Sequence, residues 1–257
     1  MLAVILAGGR GSRFSDSEAD IPKPLREVAG RPIIWHVMKI YEQAGINNFF
    51  LCLGHQQHRF KEYFSRYFYE NSTFEYDLST GNSKHLCPPR ENWKVILNDS
   101  GLNTETGLRL KSSIDYIHGE EVFFTYGDSV VDVDVRDVLS FHKKHGKLVT
   151  MTAIRRRSTL GELEIDGDKI VSMDEKKVLP ESWFNGGFFV VNKRAIEMVS
   201  KSTGSWERDI LPKLSSLGQL MAYKHEGFWH PLDTPKDQNS LENYLANCPN
   251  NIISISR

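Results

Sequence analysis

Short runs of consecutive apolar residues alternate along the chain with segments in which apolar residues recur every three or four positions. Residues 2–6, 48–53 and 122–126 form such runs, which are typical of strands buried on both faces. In the segment that follows Arg31-Pro32, apolar residues fall on one helical face, and Gly45 stands just past its end. Strands separated by amphipathic helices predict an α/β fold with a mostly parallel sheet flanked by helices.

The same two patterns predict the strands and helices in the rest of the chain. Further strands are predicted at 93–97, 149–154, 162–165, 170–173, 188–191 and 220–223, and further helices at 58–69, 106–117, 195–200, 206–217 and 235–246. The later half is therefore richer in strands. Residues 70–92 interrupt the alternation with Ser, Asn, Gly and Pro around a weak strand at 74–78, which predicts an insertion hairpin or arm. No repeat or linker divides the chain, so a single domain over residues 1–257 is expected.

Composition narrows the functional classes. Lys and Arg number 32 and Asp and Glu 33, a net charge of −1, so a surface built to bind nucleic acid is not expected, whereas a local phosphate site remains compatible. The three cysteines, Cys52, Cys87 and Cys248, are odd in number and widely spaced, which favours a reducing, cytoplasmic setting. No run approaches the ~20 apolar residues of a membrane span. The apolar opening leads directly into glycines, as in a strand rather than a signal peptide.

A glycine-rich loop follows the first predicted strand. The sequence Gly8-Gly9-Arg10-Gly11-Ser12-Arg13 would bring backbone N–H groups close to a phosphate at the carboxyl end of a parallel strand. Its arginines add bidentate donors for phosphate oxygens. The spacing matches neither the dinucleotide-binding nor the Walker pattern, and a tight turn without a ligand is the alternative.

A lysine between two prolines lies ten residues further on. Pro22 and Pro24 predict a fixed, extended backbone around Lys23, so that its ammonium group is held in one direction. Alone, such a segment would be a surface loop. Next to a loop rich in glycine and arginine, it indicates a second cation for the same phosphates.

These motifs together resemble a known family. LAGGRGSRF followed by PKPLREVAGRPIIWHVM is similar to the signature of the sugar-1-phosphate nucleotidyltransferases, usually LAGGxGTRL followed by PKPxxxxxGKP. Within that family the nearer match is to the glucose-1-phosphate cytidylyltransferases, in ETGLRLK, FFTYGDSVVDVDV, FNGGFFVVN and GFWHPLDTPKDQNSLENYL. The resemblance covers nearly the whole chain. It implies a Rossmann-like, glycosyltransferase-A-like nucleotidyltransferase fold.

The resemblance also implies a reaction. The phosphate oxygen of a sugar phosphate, first of all glucose 1-phosphate, attacks the α-phosphorus of CTP, and pyrophosphate leaves. Such a transfer needs positioning and charge neutralisation rather than a protein nucleophile. The resemblance assigns catalysis to Arg13 and Lys23, and nucleotide binding to Leu6, Ala7, Gly8, Gly9, Gly11, Ser12, Arg13, Lys23 and Arg109.

Two aspartates are candidate Mg²⁺ ligands. Asp128 follows a predicted strand beside Gly127, where ligands bind in open α/β sheets. Asp233 lies in Pro231-Leu232-Asp233-Thr234, and both correspond by resemblance to the family's metal-binding aspartates. Mg²⁺ takes one or two protein carboxylates besides substrate phosphates. Without the family, Asp128 could cap a turn and Asp233 the last helix.

For the acceptor, the resemblance indicates Arg109, Gly161, Glu175, Lys176 and Asn185. The triplet at 175–177 could instead be a solvated charge run. Three features depart from the usual family pattern, namely Ser129, Lys177 and the stretch Ser158-Thr159-Leu160. All three fall on the acceptor side, so a different phosphorylated acceptor is the alternative.

Two further expectations concern assembly and catalytic competence. A non-catalytic, nucleotide-binding regulatory subunit is a third hypothesis, disfavoured because Arg13, Lys23, Asp128 and Asp233 are all present. The aromatics of residues 60–69 and the atypical segment 70–92 predict a homo-oligomer. His142 and His145 are expected to be solvated at a basic helix end rather than to bind metal.

Overall fold

The computed structural model describes residues 1–9, 21–155, 162–166, 169–174, 182–202 and 204–247. The strands in these ranges are β1 (Leu2–Leu6), β2 (Glu27–Val28), β3 (Arg31–Pro32), β4 (Asn48–Leu53), β5 (Thr73–Asp77), β6 (Asn82–Cys87), β7 (Lys94–Asp99), β8 (Glu121–Tyr126), β9 (Ser129–Val131), β10 (Val149–Ile154), β11 (Glu162–Asp166), β12 (Lys169–Asp174), β13 (Phe184–Asn192), β14 (Leu220–His225) and β15 (Trp229–Pro231). The α-helices are α1 (Ile33–Gln43), α2 (Gln57–Glu70), α3 (Thr106–Lys111), α4 (Val135–His145), α5 (Lys193–Glu197), α6 (Leu211–Ser216) and α7 (Pro235–Asn247).

The largest sheet in the described part of the chain has seven strands in the order β14-β10-β13-β8-β1-β4-β7. β1 pairs in parallel with β4 and β8, β4 with β7, and β10 with β14. β13 is antiparallel to both of its neighbours, β8 and β10. Six strands therefore run in one direction, which confirms the predicted α/β class with a mostly parallel sheet. Their carboxyl ends, together with the start of β13, meet at one side of the sheet, here called the C-terminal edge.

Each strand of the sheet centre is buried on both faces because its side chains alternate between two cores. Ala3 and Ile5 of β1 pack under α1, α2, α4 and α7, whereas Leu2 and Val4 pack under α3, α5 and α6. This alternation explains why these strands appear in the sequence as continuous apolar runs. No helix in the described ranges is both long and apolar enough to cross a bilayer.

The boundaries of α1 follow the sequence signals. Pro32 precedes the first helical residue, with φ −59° and ψ 148°, and Gly45 adopts a φ of +78° just beyond the last turn. A positive φ carries little steric cost only for glycine, so the chain turns there towards β4. The predicted strand at 48–53 and helix at 58–69 correspond to β4 and to α2, respectively.

The segment that interrupts the alternation contains a β-hairpin. β5 and β6 pair antiparallel across a turn in which Gly81 has a φ of +71°. The side chain of Asp77 accepts from the Ser79 N–H (2.9 Å), which fixes the start of the turn. Nearly all residues of the two strands are exposed, and the hairpin forms a sheet separate from the central one.

One predicted helix is wrong in extent, and another has the predicted extent but begins with a different helix type. The helix predicted at 106–117 ends at Lys111, where the backbone pattern tightens and the Ser113 N–H donates to Leu110 O (3.1 Å). The hydroxyls of Ser112 and Ser113 also donate to the carbonyls of Arg109 and Leu110 (2.7 Å each). A short 3₁₀ turn follows. The helix predicted at 206–217 begins as a π-helix (Trp206–Ile210), in which the Ile210 N–H donates to Ser205 O (3.2 Å), and continues as α6.

The expectation of solvated histidines at the end of α4 is also wrong. His142 is buried, and its Nδ1 lies 2.9 Å from the hydroxyl oxygen of Thr150 on β10. His145 Nε2 lies 2.7 Å from the same oxygen. A hydroxyl can donate to one ring nitrogen and accept from the other, so Thr150 joins two neutral imidazoles. The two histidines at this helix end therefore pack onto the sheet, whereas Lys143 and Lys144 between them are exposed.

Candidate active site

Three glycines allow the ends of β1, β4 and β8 to converge at the C-terminal edge. A Cβ on Gly8 would lie 2.6 Å from the Gly54 N, and one on Gly54 would lie 2.8 Å from the Gly8 O. On the other side of β1, a Cβ on Gly127 would lie 2.9 Å from Leu6 O, which accepts a hydrogen bond from the Gly127 N–H (2.9 Å). Side chains at these positions would collide with backbone. The three glycines therefore allow the backbones at these strand ends to pack directly against one another.

Of the predicted nucleotide-binding loop, the structure describes Leu6, Ala7, Gly8 and Gly9. Ala7 is buried and donates its N–H to Cys52 O (3.0 Å), whereas Gly9 is exposed with open space where a Cβ would lie. Gly11, Ser12 and the predicted catalytic Arg13 lie outside the described residues, and their roles stay predictions.

Arg109 of α3 supports this loop from beneath. Its Nε donates to Thr104 O (2.8 Å), Nη1 to Leu53 O (3.0 Å), and Nη2 to Gly101 O (2.9 Å) and Leu102 O (3.3 Å). The side chain is buried and ties the ends of the loops after β4 and β7 to α3. These hydrogen bonds give Arg109 a structural function. They do not test its predicted contact with nucleotide and acceptor, which stays a prediction.

Lys23 reaches the same edge from a short turn. Pro22 is extended, but Lys23 itself begins a 3₁₀ turn (Lys23–Leu25) rather than the predicted extended segment. Two backbone bonds stabilise the turn, Leu25 N–H to Pro22 O (2.8 Å) and Arg26 N–H to Lys23 O (3.0 Å). Pro24 is buried against Gly127. The prolines therefore anchor the turn, and the lysine side chain is 14% exposed.

The ammonium of Lys23 lies between the two predicted metal ligands. Its Nζ is 3.4 Å from Asp128 Oδ2 and forms a closer ion pair with Asp233 Oδ1. Both carboxylates thus converge on one point, although they are 105 residues apart in sequence. We call Lys23, Asp128 and Asp233 the charged cluster.

A two-stranded ribbon sets the spacing of the two aspartates. β9 begins directly after Asp128 and pairs antiparallel with β15, with Ser129 opposite Pro231. The Leu232 N–H then donates to Asp128 O (2.7 Å), so the ribbon extends to the residue before Asp233. The register of this ribbon brings the carboxylates to the same end.

The alternative in which Asp233 caps the last helix is not what the structure has. Thr234 and Asp237 bond reciprocally, with the Thr234 N–H donating to Asp237 Oδ2 (2.8 Å) and the Asp237 N–H donating to Thr234 Oγ1 (3.3 Å). These bonds satisfy the start of α7. The Asp233 carboxylate is directed to Lys23 instead.

The chemistry of the cluster suits a divalent cation. Burial raises the pKa of Asp128, although the Lys23 ammonium opposes the shift, and the Asp233 charge adds to it. A cation between two carboxylates that lie this close together lowers the electrostatic repulsion between them. No group of three or more acidic, His or Cys side chains suited to a metal occurs in the described ranges. Two carboxylates alone fit Mg²⁺, which completes its shell with phosphate oxygens and water.

Of the other residues predicted to bind the acceptor, the structure describes Asn185, whereas Gly161, Glu175 and Lys176 lie outside the described residues and their functions stay predictions. Asn185 is an exposed residue near the start of β13. Its Oδ1 accepts from the Gly187 N–H (2.8 Å), and its Nδ2 lies 3.4 Å from the Tyr126 hydroxyl. Nearby, the indole of Trp229 on β15 donates to Gly186 O (2.7 Å), so the ribbon that carries the aspartates contacts this strand.

Sequence reasoning missed Tyr126 and Glu207. Tyr126 ends β8 two residues before Asp128, and its hydroxyl donates to Glu207 Oε1 (2.5 Å). The position of Tyr126 before Gly127-Asp128 was a usable signal. Glu207, from a distant helix, carries no motif that would mark it.

Comparisons with known proteins identify the family and the fold. Residues 2–243 match the family model described as nucleotidyl transferase. The chain is 40% identical over 243 residues to the glucose-1-phosphate cytidylyltransferases of Salmonella typhi and Salmonella typhimurium, covering 94% of this chain and 95% of each relative. The crystal structure of HddC from Yersinia pseudotuberculosis superimposes with a TM-score of 0.67 at 22% identity, over 95% of this chain and 99% of that chain, which shows a shared fold.

The resemblance inferred from the glycine loop and the Pro-Lys-Pro segment is thereby confirmed, since the family model extends from β1 into α7. The chain belongs to the nucleotidyl transferase family.

Proposed function

We propose that this nucleotidyltransferase transfers the cytidylyl group of CTP to glucose 1-phosphate. A phosphate oxygen of glucose 1-phosphate forms a bond to the α-phosphorus of CTP, and the bond from that phosphorus to the bridging oxygen of the β-phosphate breaks. The products are CDP-glucose and pyrophosphate. The identity of 40% to relatives named for this reaction supports the substrate pair.

The observation that carries the proposal is the convergence of Lys23, Asp128 and Asp233 beside the glycine loop. An in-line phosphoryl transfer places additional negative charge on the phosphate oxygens in the transition state. In the proposed complex, Lys23 leaves its carboxylate partners and binds the triphosphate, where its charge stabilises that state. A non-catalytic nucleotide-binding subunit would have no need of a cation and two carboxylates at one point.

Asp128 and Asp233 would hold Mg²⁺ in that complex. The chemistry that bound Mg²⁺ supplies is neutralisation of the phosphate oxygens. Lys23, which pairs with the same two carboxylates, would then be free to bind the triphosphate.

The loop that follows β7 supports recognition of the base. The Asp99 carboxylate accepts from the Gly101 N–H (3.0 Å) and from the side-chain amide of Gln57 (2.5 Å). Arg109 binds the Gly101 carbonyl from the other side. A loop fixed in this way presents backbone groups in constant positions. Such groups discriminate between bases because the wrong base leaves them unpaired.

One observation favours a second candidate acceptor, a phosphorylated sugar with an additional anionic group. Trp183 lies two residues before Asn185 along the chain. The centre of its ring is 4.7 Å from the Arg155 guanidinium and 5.5 Å from the Lys224 ammonium. Glu226 lies 3.8 Å from Arg155 and balances one of the charges. Of the two positive charges around Trp183, Glu226 balances one, and the other would attract an additional anionic group on the acceptor.

The test is pyrophosphate release by the purified protein with Mg²⁺, CTP and glucose 1-phosphate, with the sugar nucleotide identified by chromatography against a CDP-glucose standard. CTP is compared with UTP and dTTP, and glucose 1-phosphate with sugar phosphates that carry a carboxylate or a second phosphate. Lys23→Ala serves as the matched inactive control. A preference for UTP or dTTP would contradict the base assignment, and a preference for a dianionic or carboxylated acceptor would select the second candidate.

We also propose that the protein forms a homo-oligomer. Tyr69, Tyr76, Leu78 and Leu86, on the hairpin and the end of α2, are 48–93% exposed. Exposed apolar side chains in one region favour a protein partner, and a second copy is the simplest one. A reducing, cytoplasmic location is consistent with CTP as substrate and with the free thiols of Cys52 and Cys87.

A further inference from the structure

We infer that Glu207 acts through Tyr126 as a positioning residue that directs one N–H of Asn185 towards the bound sugar phosphate. The inference rests on the proposed function, since it assigns residues to the acceptor side of that site. Glu207 of the π-helix binds the hydroxyl of Tyr126 at the end of β8, and that hydroxyl lies beside Asn185 near the start of β13.

The carboxylate of Glu207 is shared between two elements. Its Oε1 accepts from the Tyr126 hydroxyl (2.5 Å), and its Oε2 accepts from the Thr106 hydroxyl of α3 (2.6 Å). Thr106 also accepts from the Trp206 N–H (2.9 Å), so the first residue of the π-helix and α3 are bonded directly. A π-helix inside a longer helix often marks a functional position. From this π-helix Glu207 reaches Tyr126 at the end of β8, while Trp206 is buried in the core.

The direction of the hydrogen bonds follows from the carboxylate. An ionised carboxylate only accepts, so the phenol proton of Tyr126 is committed to Glu207. Burial, together with the charge of Glu207, raises the pKa of Tyr126 and keeps the phenol protonated. The phenol oxygen is therefore an acceptor towards Asn185, whose Nδ2 lies 3.4 Å away.

Asn185 is then fixed at both ends of its amide. Its Oδ1 accepts from the Gly187 N–H (2.8 Å), so the amide cannot turn over without losing that bond. Of the two N–H groups on Nδ2, one faces Tyr126, and the other has no partner among the residues that the structure describes. Because Asn185 is exposed at the C-terminal edge, this second N–H is available to an oxygen of the sugar phosphate.

The ring of Tyr126 is held by packing as well. Gly187 has a φ of +80°, and a Cβ there would lie 2.5 Å from Tyr126 Cδ2. The ring thus lies directly against the glycine backbone, with Phe124 and Phe189 at its edges. Removing the hydroxyl alone leaves this packing intact, which makes Tyr126→Phe a clean probe of the hydrogen bonds.

The experiment compares Tyr126→Phe, Glu207→Gln and the double variant with wild type in steady-state kinetics with CTP and glucose 1-phosphate. We expect the KM for glucose 1-phosphate to rise by up to roughly tenfold in each, as for the loss of one hydrogen bond to a sugar hydroxyl. The KM for CTP should stay within twofold, and the double variant should be no worse than the single ones. Arg208→Ala, an exposed neighbour on the π-helix, is the matched control and should behave as wild type.

A panel of monodeoxy glucose 1-phosphates gives a second readout. Wild type should lose activity when one particular hydroxyl is missing, and that loss should shrink in Tyr126→Phe and vanish in Asn185→Ala. Unchanged KM for glucose 1-phosphate in both single variants, or a parallel loss of CTP affinity and thermal stability, would overturn the inference. A wild-type protein that forms no CDP-glucose contradicts the proposed function instead, and the same variants are then compared on the substrate pair that wild type converts.

Discussion

Arg109 lies directly beneath Gly8, so close that a Cβ built on Gly8 would be 2.0 Å from Arg109 Nη1. The guanidinium and the glycine loop therefore occupy adjoining space with no room for a side chain. The same guanidinium binds four backbone carbonyls in the segments that follow β4 and β7, so this one buried cation fixes the backbone against which Gly8 packs.

The first prediction concerns that support. Arg109→Met should destabilise the protein by about 3 kcal/mol, because buried carbonyls of Leu53 and Gly101 lose their donors. The KM for CTP should rise because the glycine loop would lose the guanidinium that lies beneath Gly8. Thermal unfolding and steady-state kinetics measure the two effects. Arg136→Met, which removes an exposed arginine, is the control and should change stability by less than about 0.5 kcal/mol. Equal stability of the two variants would refute the support function.

The second prediction concerns Lys23. Lys23→Ala should lower turnover by ~10²-fold or more, because a cation that stabilises transition-state charge is lost. The melting temperature should change little, since Pro22 and Pro24 keep the turn anchored. Lys144→Ala removes a fully solvated lysine of α4 and should leave turnover unchanged. Wild-type turnover in Lys23→Ala would rule out its catalytic role.

The third prediction concerns the metal. Chelation should abolish pyrophosphate release, and added Mg²⁺ should restore it. Asp128→Asn and Asp233→Asn should each raise the Mg²⁺ concentration for half-maximal activity by roughly tenfold or more, because each removes a charged ligand. Asp115→Asn, on an exposed turn, should not. A titration of activity against Mg²⁺ that is identical for Asp128→Asn and wild type would exclude Asp128 as a ligand.

The fourth prediction concerns acid stability. Burial lowers the pKa of His142 to about 4, against 6.5 in the unfolded chain. Below pH 6.5 the unfolded state therefore binds more protons than the folded state. The contribution of His142 to the free energy of unfolding is fully present above pH 6.5 and is lost as the pH falls towards 4. At pH 5 the loss from this one group is roughly 2 kcal/mol.

Thermal unfolding at pH 7.5 and pH 5.0 checks this. The difference in melting temperature should be smaller in His142→Gln than in wild type, whereas His58→Gln, at an exposed position of α2, should keep the wild-type difference. His36 is buried with a pKa also lowered to about 4, so some acid sensitivity should persist in His142→Gln. Identical pH dependence in all three proteins would contradict the assignment.

The fifth prediction concerns assembly. Light scattering at micromolar concentration should give a mass that is a multiple of the 29.4 kDa chain. The triple variant Tyr69→Ser, Tyr76→Ser, Leu86→Ser should shift that mass towards the monomer, because it removes apolar surface from the hairpin region. Leu217→Ser, an exposed leucine after α6, should have no such effect. A monomeric wild-type protein would disprove the proposed oligomer.

The elements that the sequence predicted well are those with a local cause. The strand at 48–53 is apolar throughout, and the helix between Pro32 and Gly45 is bounded by residues with restricted or unusual φ values. The hairpin inside 70–92 follows from its turn-forming residues. The early end of the helix predicted at 106–117 and the π-helical start of the one predicted at 206–217 depend on backbone hydrogen bonds at residues 112–113 and at Ser205, which periodicity does not encode.

The candidate site divides in the same way. Gly8, Lys23 and Asp128 lie in short motifs, and the family resemblance points to them directly. The environment of His142 and the bonds of Glu207 arise from contacts between distant elements, which no local pattern reports. The four carbonyls around Arg109 belong to loops whose paths are set by the sheet, so the residue type alone could not reveal its structural function.

The ribbon formed by β9 and β15 has a consequence for how competence for catalysis is acquired. Lys23 and Asp128 are separated by 105 positions, and Lys23 and Asp233 by 210, so three distant thirds of the chain must be in place before the charges meet. A chain that ended before residue 229 would contain every strand of the seven-stranded sheet and yet only one of the two carboxylates, Asp128. If the charged cluster performs the proposed transfer, synthesis of the ribbon's second strand and of Asp233 is the step that completes the catalytic site.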